Sequence, residues 1–176
     1  MSSNNDFGNY YLVLKHLIYQ AISAHSALHP ILINILNVMF VTLISVHDYA
    51  VAVDIARALV YTSEKVFGVD SFETAERYLQ LADVLLKNEM FNEAMIYNEL
   101  AMNTYSLVLG KEHERVKVCY LLKGICLMQL NKSAEALKCM EVVMSIKKSV
   151  EEVINATYYA CVLSAYVLCL WMNDYI

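Results

Sequence analysis

A spacing of 42 residues runs through this 176-residue chain and restricts its fold more than any single motif does. Gly68 closes EKVFG and Gly110 closes YSLVLG, 42 positions apart. The same shift aligns His29 with Ser71 and His113, and Ala52 with Ala94 and Ala136. It also aligns Leu43, Leu85 and Leu127; Leu59, Ala101 and Val143; and Phe7, Tyr49, Phe91, Ser133 and Tyr175. A fixed period of this length is the mark of stacked repeats, each one a supersecondary unit.

Within a unit the pattern is helical. Tyr78, Leu81, Ala82 and Leu85 recur at i, i+3, i+4 and i+7, which is one face of a helix. One proline and four glycines cannot punctuate an all-β protein. Gly68 and Gly110 each follow an apolar helix end, where a left-handed residue stops a helix. Asp70, three residues before Glu73, resembles an N-capping arrangement. A short turn at 88–91 leads into the next helix, so each unit is a helix hairpin. The small residues at 52, 94 and 136 let its two helices approach closely. The spacing predicts a single domain over 1–176: a half-unit at 7–25, hairpins at 29–66, 71–108 and 113–148, and a half-unit at 153–173.

The column of small and bulky residues resembles the tetratricopeptide repeat, with Ala82, Ala94 and Ala101 as its small positions and Tyr78 and Leu85 as its large ones. A 42-residue unit is similar to the extended repeats of kinesin light chains, whose Gly-x-x-His-Pro opening is kept at His29–Pro30 and in most of Gly110–His113. Residues 52–83, through Ala52-Val53, Ala56-Arg57, Ser63-Glu64, Gly68-Val69-Asp70-Ser71 and Glu73-Thr74, resemble the repeat region of the Clu (clustered mitochondria) family. The resemblance implies an all-α, right-handed superhelical α-solenoid of antiparallel hairpins with about eight helices. It also implies a non-catalytic cytoplasmic protein linked to mitochondrial distribution, translation and messenger RNA. The large domains that precede the repeats in that family have no counterpart in these 176 residues.

In such a solenoid the first helices of the hairpins line a concave groove. The tetratricopeptide register places Asn34, Asn37, Val41 and Ser45 there, then Glu76, Leu79, Asp83 and Lys87, then Val118, Leu121, Ile125 and Gln129. The groove runs from polar to apolar and suits an extended peptide or an amphipathic helix. Core packing is the competing account of the apolar members. The last half-unit, NATYYACVLSAYVLCLW, is apolar nearly all round, with Tyr159, Leu163, Val167 and Trp171 as its candidate interface. An end repeat normally turns a polar face to water. Covering roughly 400 Å2 of apolar surface here is worth on the order of 10 kcal/mol before association costs. Another chain is therefore expected on this end, either a second copy or a larger assembly.

The net charge of -5 argues against a dedicated nucleic-acid binder. The distribution is uneven, however: 61–99 holds 3 basic and 8 acidic groups, whereas 111–148 holds 8 basic and 4 acidic. Lys111, Arg115, Lys117 and Lys123 are the candidates for an RNA or anion patch, with Lys132 and Lys138 further along. A solvated helix surface is the competing account. Tyr120, which shares the column of Tyr78, reads as core rather than as a stacking platform for a base.

Five cysteines without a C-x-x-C pair, all in apolar helical surroundings, read as buried reduced thiols. The N-terminal MSSNNDFGNYY lacks the basic region and cleavage site of a secretory signal. Two uncharged runs, at 16–47 and 153–173, approach the ~20 residues that a bilayer span requires. Both are accounted for by the repeat. No metal site, phosphate loop or activated nucleophile is expected: Pro30 breaks the helix that His25 and His29 would share, and residue 117 is Lys where HExxH needs His. No cofactor is expected. Three classes of function stay open: a protein-interaction module, a constitutive subunit of a large assembly such as a ribosome-associated complex, and a membrane-associated helical protein.

Overall fold

The computed structural model describes residues 30–145 together with Ser164, Val167, Leu168 and Trp171. Within residues 30–145, six helices follow one another: α1 (Pro30–Ser45), α2 (Tyr49–Phe67), α3 (Phe72–Lys87), α4 (Phe91–Val108), α5 (Glu114–Gln129) and α6 (Ser133–Ser145). Among the described residues there is no strand. Each helix packs on the next in sequence, and α3 also touches α5, so the hairpins stack in chain order. The helices expected at 7–25 and 153–173 lie outside the described residues, apart from the four helical positions from Ser164 to Trp171. Among the described residues, no helix is long and apolar enough to cross a membrane.

Two kinds of connection alternate, and each recurs with the 42-residue pitch. Inside a hairpin the turn holds a non-glycine residue at positive φ: His47 (60°), Glu89 (61°) and Asn131 (58°). In the middle hairpin the Glu89 N–H donates to Leu86 O (3.1 Å) and the Met90 N–H to Leu85 O (2.9 Å). That is a Schellman closure with Glu89 as its left-handed residue. The same pairs form at His47–Ile44 and Asp48–Leu43, and at Asn131–Met128 and Lys132–Leu127. The next helix begins two residues after each left-handed one, so only three residues separate the helices within a hairpin. The turn expected at 88–91 is thus present, and three different side chains occupy the left-handed position of the three such turns.

Between hairpins the connection uses glycine. Gly68 (φ 87°) and Gly110 (φ 91°) both lie at positive φ, as the sequence led us to expect. With ψ at 159°, Gly68 is not in the left-handed helical region but in an extended one that only glycine enters at low cost. The cap that follows corrects the expectation for Asp70. Ser71 is the N-cap of α3, accepting from the Thr74 N–H (3.1 Å), while the Thr74 hydroxyl donates to Gly68 O (2.7 Å). Ser71 has the β-region backbone and short oxygen that this role needs. His113, in the same column, caps α5 by accepting from the Arg115 N–H at Nδ1 (3.2 Å).

The expected apolar face of α3 is the observed one, since Tyr78, Leu81, Ala82 and Leu85 are all buried. Ala52, Ala94, Ala101 and Ala136 have no exposure at all. Gly124, 42 residues after Ala82, is their counterpart in α5, and a Cβ placed there would collide with the Met140 Cε methyl. Small residues thus set how closely the helices approach. The core is continuous from Leu32 to Cys126, with a second cluster around Leu127 and Met140.

Candidate functional site

The first helices of the hairpins, α1, α3 and α5, are tied to one another by polar contacts. Arg77 of α3 donates through Nη1 to Asn37 Oδ1 of α1 (2.7 Å) and to Gln80 Oε1 (2.8 Å). Its neighbour Glu76 accepts from the Tyr105 hydroxyl (2.7 Å) and pairs with Arg115 Nη1 of α5 (3.0 Å). Arg77 is half-buried among amide acceptors with its Nε unpaired, and burial lowers its pKa. Tyr105 is fully buried; burial first, and then its bond to Glu76, raise its pKa. On the outer side, Arg57 Nη2 of α2 meets both carboxylate oxygens of Glu93 in α4 (2.8 and 3.0 Å). Glu76, Arg77 and Tyr105 were not singled out as a network from the sequence, because nothing marks residues 29 to 40 positions apart as neighbours until the register of the stack is known.

The residues expected in the groove divide by depth. Asn34, Lys87 and Gln129 are exposed, as are Val41 and Ser45. Asn37, Asp83 and Ile125 are half-buried; Asn37 is held by Arg77, and Asp83 is paired with Lys87 one turn on (2.7 Å). Leu79 and Leu121 are buried, so they form the floor beneath the polar residues. Depth and polarity do not fully coincide here, since apolar Val41 is exposed and Ile125 lies at the same depth as Asn37 and Asp83.

The basic patch needs correction. Lys117 is only 7% exposed, because it occupies the column of fully buried Ala75. Lys123 donates to Glu99 (2.8 Å), and that bond is the main reason its pKa rises. Arg115 is committed to Glu76. Of the four candidates only Lys111 is exposed with no carboxylate paired to it among the described residues. Tyr120 is half-buried and packs against the core.

Of the candidate apolar end, Val167 and Trp171 are each 60% exposed, while Tyr159 and Leu163 lie outside the described residues. Cys119, Cys126 and Cys139 are buried and free; Cys161 and Cys169 lie outside the described residues. Burial pushes the Cys119 thiol up to about 12 and the Cys126 thiol up to about 11, away from the range of a nucleophilic thiolate. Among the described residues, no group of three or more His, Cys, Asp or Glu is placed to hold a metal ion.

No protein-family model matches the chain. It is similar to a Clustered mitochondria protein homolog of Aspergillus clavatus, at 24% identity over 139 residues covering 77% of this chain and 11% of the relative. A homolog of the same name from Candida albicans is 30% identical over 110 residues, covering 60% of this chain and 8% of the relative. The chain therefore spans about a tenth of the length of these curated relatives. Among solved structures it is similar to the TPR-like repeats of a Podosopora anserina putative kinesin light chain, with a TM-score of 0.72 and 14% identity over 98% of this chain and 81% of that one. BtubC (BKLC) from P. vanneervenii gives a TM-score of 0.69 at 14% identity, over 98% of this chain and 75% of that one. The fold is thus an all-α TPR-like solenoid of the kinesin-light-chain kind, and the curated relatives carry the clustered-mitochondria name.

Proposed function

We propose that the chain is a non-catalytic protein-interaction module that binds an extended peptide or an amphipathic helix along the first-helix face. The observation that carries this reading is the layering of that face. Asn34, Val41, Lys87 and Gln129 are exposed on this face, Asn37, Asp83 and Ile125 are half-buried, and Leu79 and Leu121 are buried. Polar groups at the rim with apolar side chains beneath suit main-chain and side-chain recognition of a segment laid across several helices. By their name, the curated relatives suggest a role connected with mitochondrial distribution.

The test is reversible binding to partners purified from native lysate, competed by a peptide from the identified partner. The double variant Lys87→Glu with Ile125→Ala should weaken that binding at least about tenfold while leaving helicity unchanged. Unaltered binding by this folded variant would remove the groove from the account.

A second reading, a subunit held permanently in a larger assembly, is favoured by Val167, Leu168 and Trp171, which are helical yet exposed. Apolar side chains so placed usually meet another chain. Sedimentation at micromolar concentration distinguishes the readings: a lone monomer that Trp171→Ser does not change contradicts this second one.

A further inference from the structure

The α2–α3 and α4–α5 junctions are the same place in successive units, yet their side chains differ. At the first, the Tyr78 hydroxyl donates to Glu64 Oε1 (2.6 Å), its ring lies 6.2 Å from that of Tyr97, and Lys65 Nζ sits 5.7 Å from the Tyr61 ring centre. Forty-two residues on, Tyr120 keeps the tyrosine. The positions of Tyr61, Glu64 and Tyr97 now carry Asn103, Ser106 and Cys139. The Ser106 hydroxyl turns back onto Met102 O (2.7 Å) in its own helix. Three large side chains have become small, and a recess of about 470 Å3 opens between Met102, Ser106 and Leu107 of α4, Lys111, and Val116 and Tyr120 of α5.

The charge changes as well. Lys65 is replaced by Leu107, Val69 by Lys111 and Asp70 by Glu112, so the carboxylate bonded to the tyrosine is lost and a cation is kept at a new position, next to Glu112 in sequence. Beside the recess, α4 presents Ile96, Leu100 and Leu107 to solvent at helical spacing, the last 80% exposed. The buried seam of the same helix carries Asn98 and Thr104. An apolar stripe facing outward on a helix that buries polar groups suits docking of another apolar surface.

We propose that the α4–α5 recess receives a carboxylate side chain from an amphipathic helix of another protein. The carboxylate takes the place that Glu64 fills one repeat earlier, accepting from the Tyr120 hydroxyl and pairing with Lys111. The apolar face of the same helix lies along Ile96, Leu100 and Leu107. The site is separate from the first-helix face and stands or falls without it.

The probe is a capped peptide of about 15 residues, helical, with leucines along one face and one glutamate at the edge of that face; its twin carries glutamine instead. Binding is measured by calorimetry and by the Met102 methyl and Tyr120 ring resonances. The glutamate peptide should bind about tenfold more tightly than its twin, as expected for a hydrogen bond to a charged group. That preference should vanish in Lys111→Met, and also in Ser106→Glu, where an internal carboxylate fills the recess, with helicity unchanged in both. Ile125→Ala should leave it intact. Equal affinity for the two peptides, or a preference that survives Ser106→Glu, overturns the proposal. Loss of binding in Ile125→Ala would assign the peptide to the other face and overturns it too.

Discussion

The α2–α3 junction is filled by its own side chains, whereas the α4–α5 junction, one repeat later, is open. In the first, Glu64 accepts from the Tyr78 hydroxyl and the tilted Tyr97 ring lies beside it; in the second, Ser106 and Tyr120 line a recess. The backbone does not explain the contrast, since both junctions follow a glycine at positive φ and both lead into a side-chain-capped helix. What holds the pitch is the column of small buried residues and the repeated left-handed turn. The side chains at the junctions are free to vary around that frame, and a repeat protein can acquire a binding site there without altering its stack.

Attacking what the two junctions share should have the largest effect. Ala94→Asp buries an unpaired carboxylate where no surface is exposed, and should cost about 3 kcal/mol or more in denaturant unfolding. Next comes the filled junction alone. Glu64→Ala leaves the buried Tyr78 hydroxyl without its acceptor and should cost about 1–2 kcal/mol, whereas Ser106→Ala at the open junction should cost under about 0.5 kcal/mol. Equal costs at the two sites would erase the contrast. Ser71→Ala, which removes the cap of α3, should lose about 1 kcal/mol in the same assay. The smallest effect concerns the turns: Glu89→Asn, which suits positive φ better, should raise stability by about 0.5 kcal/mol in thermal unfolding.

The stack itself was legible because its signal repeats. Ala52, Ala94 and Ala136 share a column, and all three are fully buried. The basic patch was misjudged because charge was weighed without that register: Lys117 stands in the column of Ala75 and is buried with it. The same register, carried through α5, would also have marked Gly124 as the successor of Ala82. The turn at 88–91 was legible, but its left-handed residue was not, since Glu89 lacks the preference for positive φ that His47 and Asn131 have at the equivalent positions. Asp70 was preferred to Ser71 as the cap for its spacing to Glu73, yet the hydroxyl one residue later reaches the Thr74 N–H. Leu79 and Leu121 were placed in the groove by register alone, and only depth shows that they lie beneath it.

The claim that successive hairpins are equivalent frames filled differently is tested most directly by a crystal structure of the Ser106→Glu variant. The account predicts that the new carboxylate lies within about 3 Å of the Tyr120 hydroxyl, closing the recess as Glu64 does at the preceding junction, with the helices unmoved. A carboxylate turned to solvent, with the recess still open beside Tyr120, would contradict it.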